Sequence, residues 1–185
     1  MIWHVLIIIL LIIFLSFYNR DWQPSKFSFF IQGKLIKIGH RGAPLLAHEN
    51  TPNSFIKAIE AGIDGVELDV QYSADKQLIV YHDWTLESLT GIEKRIEKTP
   101  YSEIEKILFN NEVANKIPLF TEVIDFLPKK CIKVIEIKSK HLLNTGIEKK
   151  ILNILKNNDI VDNCIISSFN PFVIRRVRKH NPNIQ

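Results

Sequence analysis

The chain has 185 residues, 46% of them hydrophobic and 24% charged, with a formal net charge of +4 and a pI near 9. That length admits one domain with appendages and falls short of the roughly 250 residues of a complete eight-fold α/β barrel. The basic residues are scattered over solvated faces, which argues against a nucleic-acid partner, and Cys131 and Cys164 support neither a disulfide framework nor a cysteine metal motif.

The run from Ile2 to Tyr18 is apolar apart from His4 and Ser16, with no Lys or Arg ahead of it and no small-residue cleavage site behind it. Trp3 lies at one end, Tyr18 and Trp22 at the other, like interfacial anchors. The run is therefore read as an uncleaved single-pass transmembrane helix over residues 1–20, slightly short of the about 20 residues that span a bilayer comfortably. Arg20 and Lys26 follow it, so the positive-inside rule puts the rest of the chain on the cytoplasmic side of a membrane. Residues 21–34, with Pro24, Ser25 and Gly33, read as a linker.

Residues 35–185 then read as one domain. A first strand covers 35–40. A helix follows, capped by Asn50 or Thr51, with Pro52 in its first turn and Gly62 past its end; Phe55, Ala58, Ile59 and Ala61 form its apolar face. Strands are expected over 65–70 and 77–82, helical segments over 101–108 and 119–127, and a strand over 131–138. A helix over 144–157, a strand over 163–169 and a helix over 171–180 complete the chain, with Arg175, Arg176, Arg178, Lys179 and His180 on the exposed side of that last helix. Five strands in parallel-type alternation with helices predict an α/β architecture, with polar residues gathered where the strands end.

Those strand ends carry the chemistry. Glu67 and Asp69 are two apart on a strand and share a face, with Leu68 pointing the other way. Adjacent carboxylates repel unless a proton or cation lies between them. Glu136, from a separate strand end, completes an all-oxygen set suited to Mg²⁺ or Ca²⁺. His40 and His82 end two strands, and an imidazole pair titrating near neutrality can divide the work of general acid and base. Arg41 offers a planar fork of donors for a phosphate, and Lys138 shares a strand face with Glu136.

The ordered set His40-Arg41-Gly42, Glu49-Asn50-Thr51, Glu67-Leu68-Asp69, His82-Asp83 and Ile135-Glu136-Ile137-Lys138, continued by Ile166-Ser167-Ser168-Phe169, resembles the glycerophosphodiester phosphodiesterase family from about Leu35 to the end. The resemblance implies a (β/α)8 TIM-barrel fold, here reaching about five of eight strand-helix units and so read as truncated. It implies Glu67, Asp69 and Glu136 as ligands of a divalent cation, and strengthens catalytic roles for His40 and His82. Arg41 and Lys138 are expected on the substrate phosphate. Glu49 and Asn50 are expected to orient His40, Arg41 or the metal, and a direct place for Glu49 on the metal stays open. Ser167 and Ser168 are expected near the pocket. The implied reaction is hydrolysis of a glycerophosphodiester to glycerol 3-phosphate and an alcohol, with the attacking oxygen, water or a substrate hydroxyl, left open. A bilayer anchor would also suit a lysophospholipase D-like activity on lysolipids, and the missing units would suit an inactive tethered fragment.

Overall fold

A computed structural model describes residues 2–17, 35–108 and 115–185. The linker read over 21–34 and the anchors Tyr18 and Trp22 lie outside them. Helix α1, Ile2–Phe17, has 16 residues, about 24 Å at about 1.5 Å per residue against a hydrocarbon core of about 30 Å. No helix among the described residues is long and apolar enough to cross a membrane. That overturns the expected single-pass anchor over 1–20, and with it the membrane localisation and the cytoplasmic placement of the domain.

From Leu35 onward the elements are β1 (Ile38–Gly39), α2 (Pro52–Glu60), β2 (Gly65–Tyr72), β3 (Leu78–Val80), α3 (Glu87–Thr90), α4 (Tyr101–Ile104), α5 (Phe120–Phe126), β4 (Ile132–Ile137), α6 (Ile147–Asn157), β5 (Cys164–Ser167) and α7 (Pro171–His180). The parallel sheet runs β1-β2-β4-β5. Strand β3 departs from the expected parallel alternation: it pairs antiparallel with β2, Val70 opposite Val80 and Tyr72 opposite Leu78. The short connection after Tyr72 allows only a hairpin, because a parallel return needs a crossover of a dozen or more residues. Its turn is closed by Ser73 Oγ, which accepts from the Gln77 N–H and donates to Asp75.

The helices begin where the capping chemistry requires. Thr51, not Asn50, caps α2: its Oγ1 accepts from the Ser54 N–H, and Pro52 occupies the first turn. Asn170 caps α7 in the same way ahead of Pro171. The helix expected over 101–108 is only the single turn of α4.

Alternation along the strands sorts two faces. Val66, Leu68 and Val70 of β2, with Ile135 and Ile137 of β4, pack against Phe55 and Ala58 of α2, Val123 of α5, Ile151 and Leu155 of α6 and Val173 and Val177 of α7. The opposite face carries Glu67, Asp69, Gln71 and Glu136, and the parallel register sets Asp69 directly opposite Glu136. A second, smaller core of Ile79, Tyr81, Leu86, Ile96, Tyr101, Ile104 and Ile117 supports the segment after β3. Both cysteines are buried and free. Lys133 is also fully buried, and its Nζ donates to the carbonyls of Pro128, Lys129 and Cys131.

Candidate active site

The turn after β1 is the tightest part of the site. Gly39 accepts no side chain, because a Cβ there would meet the Gly42 carbonyl at 2.4 Å, and Gly42 has φ +90°. Arg41 itself is left-handed at φ 53°, as is Asn50 at φ 55°, a strained conformation for residues with side chains. Ser54 of α2 holds this turn from below. Its Oγ donates to the Arg41 carbonyl at 3.0 Å and accepts from the Ala43 N–H at 2.8 Å. The strain thus fixes where His40 and Arg41 project.

Arg41 reaches Glu67 with its main chain and two other carboxylates with its side chain. Its N–H donates to Glu67 Oε2 at 3.0 Å, Nη1 donates to Glu49 Oε1 at 2.8 Å, and Nε lies 3.4 Å from Asp69 Oδ2. Glu49 therefore orients the guanidinium and stands outside the acidic cluster. Asn50 orients Asp69 instead: Nδ2 donates to Asp69 Oδ2 at 2.9 Å and Oδ1 accepts from the Asp69 N–H at 3.3 Å.

Glu67, Asp69 and Glu136 each offer a carboxylate oxygen, and these lie within 4.8 Å of one another. Burial first, then the charge of Asp69, pushes the Glu67 carboxyl up from 4.5 to about 7; the hydrogen bond from Arg41 opposes this and Glu136 adds to it. Lys138 answers part of the charge, its Nζ lying 3.2 Å from Glu136 and 3.4 Å from Asp69. Three carboxylates against Arg41 and Lys138 leave a buried excess of negative charge. An all-oxygen donor set with that excess fits a hard divalent cation.

The histidines stand in different surroundings. His40 is exposed, its Nε2 3.9 Å from Glu67 Oε2. His82 is half-buried and its Nδ1 lies 2.8 Å from Asp83 Oδ1. Burial raises the Asp83 carboxyl, but hydrogen bonds from His82 and Ser88, with the charges of His82 and Arg41, bring it below its ordinary range. An ionised Asp83 can only accept, so Nδ1 carries a proton, and in the neutral ring Nε2 is then the nitrogen with the free lone pair. Ser88 donates to the other Asp83 oxygen at 2.8 Å, and the Tyr81 hydroxyl meets Ser88 at 3.1 Å.

Gln71 was not among the residues picked from the sequence, yet it ties the two halves of the site together. On the same face of β2 as Asp69, its Nε2 donates to the carbonyls of Tyr81 at 2.7 Å and Asp83 at 2.8 Å, pinning the backbone on both sides of His82. Asp83 stands in the His-Asp motif, and its adjacency to His82 was the one signal that pointed to it. Ser168 Oγ donates to the Ile137 carbonyl at 2.6 Å and accepts from the Asn170 N–H, joining the end of β4 to the start of α7.

This arrangement coincides with a family signature. Residues 40–185 match the glycerophosphoryl diester phosphodiesterase family. The chain belongs to the glycerophosphoryl diester phosphodiesterase family. It is 38% identical over 158 residues to the glycerophosphodiester phosphodiesterase of Caldanaerobacter subterraneus, covering 82% of this chain and 65% of that relative. Among solved structures, it resembles the glycerophosphodiester phosphodiesterase of Agrobacterium tumefaciens, with a TM-score of 0.72 and 27% identity, covering 82% of this chain and 65% of that one. A phosphodiesterase of Oleispira antarctica, solved with the product sn-glycerol-3-phosphate, aligns with a TM-score of 0.69 and 28% identity over 81% of this chain and 64% of that one. The domain thus has the α/β, TIM-barrel-like fold of the glycerophosphoryl diester phosphodiesterase family, and the chain spans about two thirds of the length of these relatives.

Proposed function

We propose that the chain is a divalent-cation-dependent phosphodiesterase that hydrolyses a glycerophosphodiester to glycerol 3-phosphate and an alcohol. The observation that carries this reading is the meeting of Glu67, Asp69 and Glu136 within 4.8 Å, beside Arg41 and Lys138. Membership of the family supports it.

Glu67, Asp69 and Glu136 would hold the cation, Mg²⁺ or Ca²⁺, which when bound neutralises charge on the phosphoryl oxygens. Arg41, fixed by Glu49, presents its remaining donors to the phosphate, and Lys138, which meets the other oxygen of Asp69, supplies a second cation. His82, with Nδ1 held by Asp83, takes a proton from the attacking oxygen at Nε2, and Asp83 stabilises the imidazolium so formed. His40, exposed beside Glu67, gives a proton to the departing alcohol. Gln71 and Ser54 keep the two histidine-bearing turns in place.

The test is release of glycerol 3-phosphate from glycerophosphocholine by the purified chain, with Mg²⁺ or Ca²⁺ and with chelator. Turnover that needs the cation and is lost in Glu67→Gln is expected. Turnover unaffected by chelator, or none with either ion, overturns the reading. The lysolipid alternative loses the support of a bilayer anchor but keeps that of kinship, since the chain is 29% identical over 158 residues to a human lysophospholipase D, covering 80% of this chain and 49% of that relative. Turnover of a lysophospholipid beside glycerophosphocholine decides between the two substrates.

A further inference from the structure

Lys138, which reaches the acidic cluster, also lines a groove together with Gln71 and Tyr72 of β2, Trp84 and Lys140. A tryptophan face is the best protein surface for a quaternary ammonium, because the ring quadrupole attracts a cation. Here that face is taken. Lys140 Nζ sits 4.3 Å from the ring centroid and Lys138 Nζ 5.8 Å from it. Lys138 is neutralised by Asp69 and Glu136, but no carboxylate among the described residues pairs with Lys140, which is exposed. Lys76 and His141 line the same groove. Its one acid, Glu97, is already paired with Arg95 and lies 3.9 Å from His141.

Lys138 joins the groove to the proposed reaction centre, since the same ammonium touches Glu136 and approaches Trp84. A phosphate held by Arg41 and Lys138 would therefore have one of its two ester arms within reach of Trp84. The other side of the site, around Glu49, Tyr81, Asp83 and Ser88, offers carboxylates and hydroxyls that suit the hydroxyls of glycerol. That leaves the Trp84 groove for the variable alcohol.

We propose that the groove over Trp84 binds the alcohol arm of the diester and that Lys140 makes it select alcohols bearing an anionic group and reject quaternary ammonium ones. The inference rests on the diesterase reading for its substrate class, so its test has two arms. Turnover is compared as kcat/KM for glycerophosphocholine, glycerophosphoglycerol and its phosphorylated form, glycerophosphoglycerophosphate. Binding of the first and last is measured by calorimetry in chelator, where nothing turns over.

An anionic arm beside an unpaired ammonium is expected to gain about tenfold over the choline arm in both measurements, and the preference should shrink as salt is raised. Charge reversal in Lys140→Glu should invert the order. Because Lys140 is exposed, folding should be undisturbed, which a melting curve checks. Equal binding of the two diesters, or an order unchanged in Lys140→Glu, overturns the selective groove even if all three esters are hydrolysed. A binding preference that inverts in Lys140→Glu without any turnover sustains the groove and removes the diesterase reading instead.

Discussion

Burial and the Asp69 charge hold the Glu67 carboxyl near 7, so at neutral pH this carboxyl is partly protonated and a cation must displace that proton. Two consequences follow from the sign of the shift. In the metal-free protein the folded state binds more protons than the unfolded one between 4.5 and about 7, so stability falls as pH rises through that window. The urea midpoint in chelator is expected to drop from pH 5 to pH 8, and Glu67→Gln should flatten that slope. Cation affinity should move the other way, rising with pH until Glu67 is ionised. A slope of equal size in Glu67→Gln would detach it from this carboxyl. His82 gives a second test at this scale. If its tautomer is set by Asp83, then Asp83→Asn should lower kcat by about 10² or more with little change in KM, and His82→Ala should lose a similar amount, within the roughly 10² to 10⁴ that positioned proton transfer contributes. Gln71→Leu should lower kcat less, since it removes two hydrogen bonds to the His82 backbone and leaves the ring's own partner in place. Full activity in Asp83→Asn would sever the ring from its orienting carboxylate.

Among the elements, α6 and α7 meet through a pair that the charge pattern concealed. Arg176 sits in a basic run read as solvated, yet its Nε donates to Glu148 Oε1 at 2.8 Å and its Nη1 to the Leu142 carbonyl at 2.9 Å. Glu148 is fully buried. Removing one partner of a buried pair strands the other, so Arg176→Met is expected to cost about 3–5 kcal/mol, whereas Glu148→Leu with Arg176→Met should recover most of it. Chemical denaturation of the single and double variants decides this; equal losses in both would deny the pair. The difference between Arg176 and its neighbours was invisible in the chain because helical spacing gives a face but not what covers it. Asp69 and Glu136 were legible for the opposite reason: period-two alternation and a parallel register leave few places for them to go. Strand β3 reads as an ordinary strand by composition, and only the brevity of its connection reveals its antiparallel direction. Ser54 and Gln71 escaped because neither residue type marks a site; what makes them matter is the backbone carbonyl each reaches across the fold.

For the whole molecule, the apolar segment at the start and the domain after it obey different physics. Every large apolar side chain from Ile2 to Leu15 is at least 44% exposed, and none enters either core cluster. The sequence pattern of that segment sits at the edge of what length can discriminate: the run reads as a slightly short span, and α1, Ile2–Phe17, is about 24 Å long. The domain, by contrast, takes Ile184 into its core and ties the Gln185 carbonyl to the Ile166 N–H at 2.8 Å. Its stability should therefore be independent of α1. Deleting residues 1–17 is expected to leave the melting temperature of the domain within about 2 °C, because a shift of 2–4 °C at this size corresponds to roughly 1 kcal/mol and no core contact is removed. The same deletion should reduce self-association, since an exposed helix apolar on all sides is a surface that other copies can cover. Light scattering across a concentration series reads the second effect and calorimetry the first. A domain that melts more than about 4 °C lower without those residues would mean that α1 packs on the sheet domain after all.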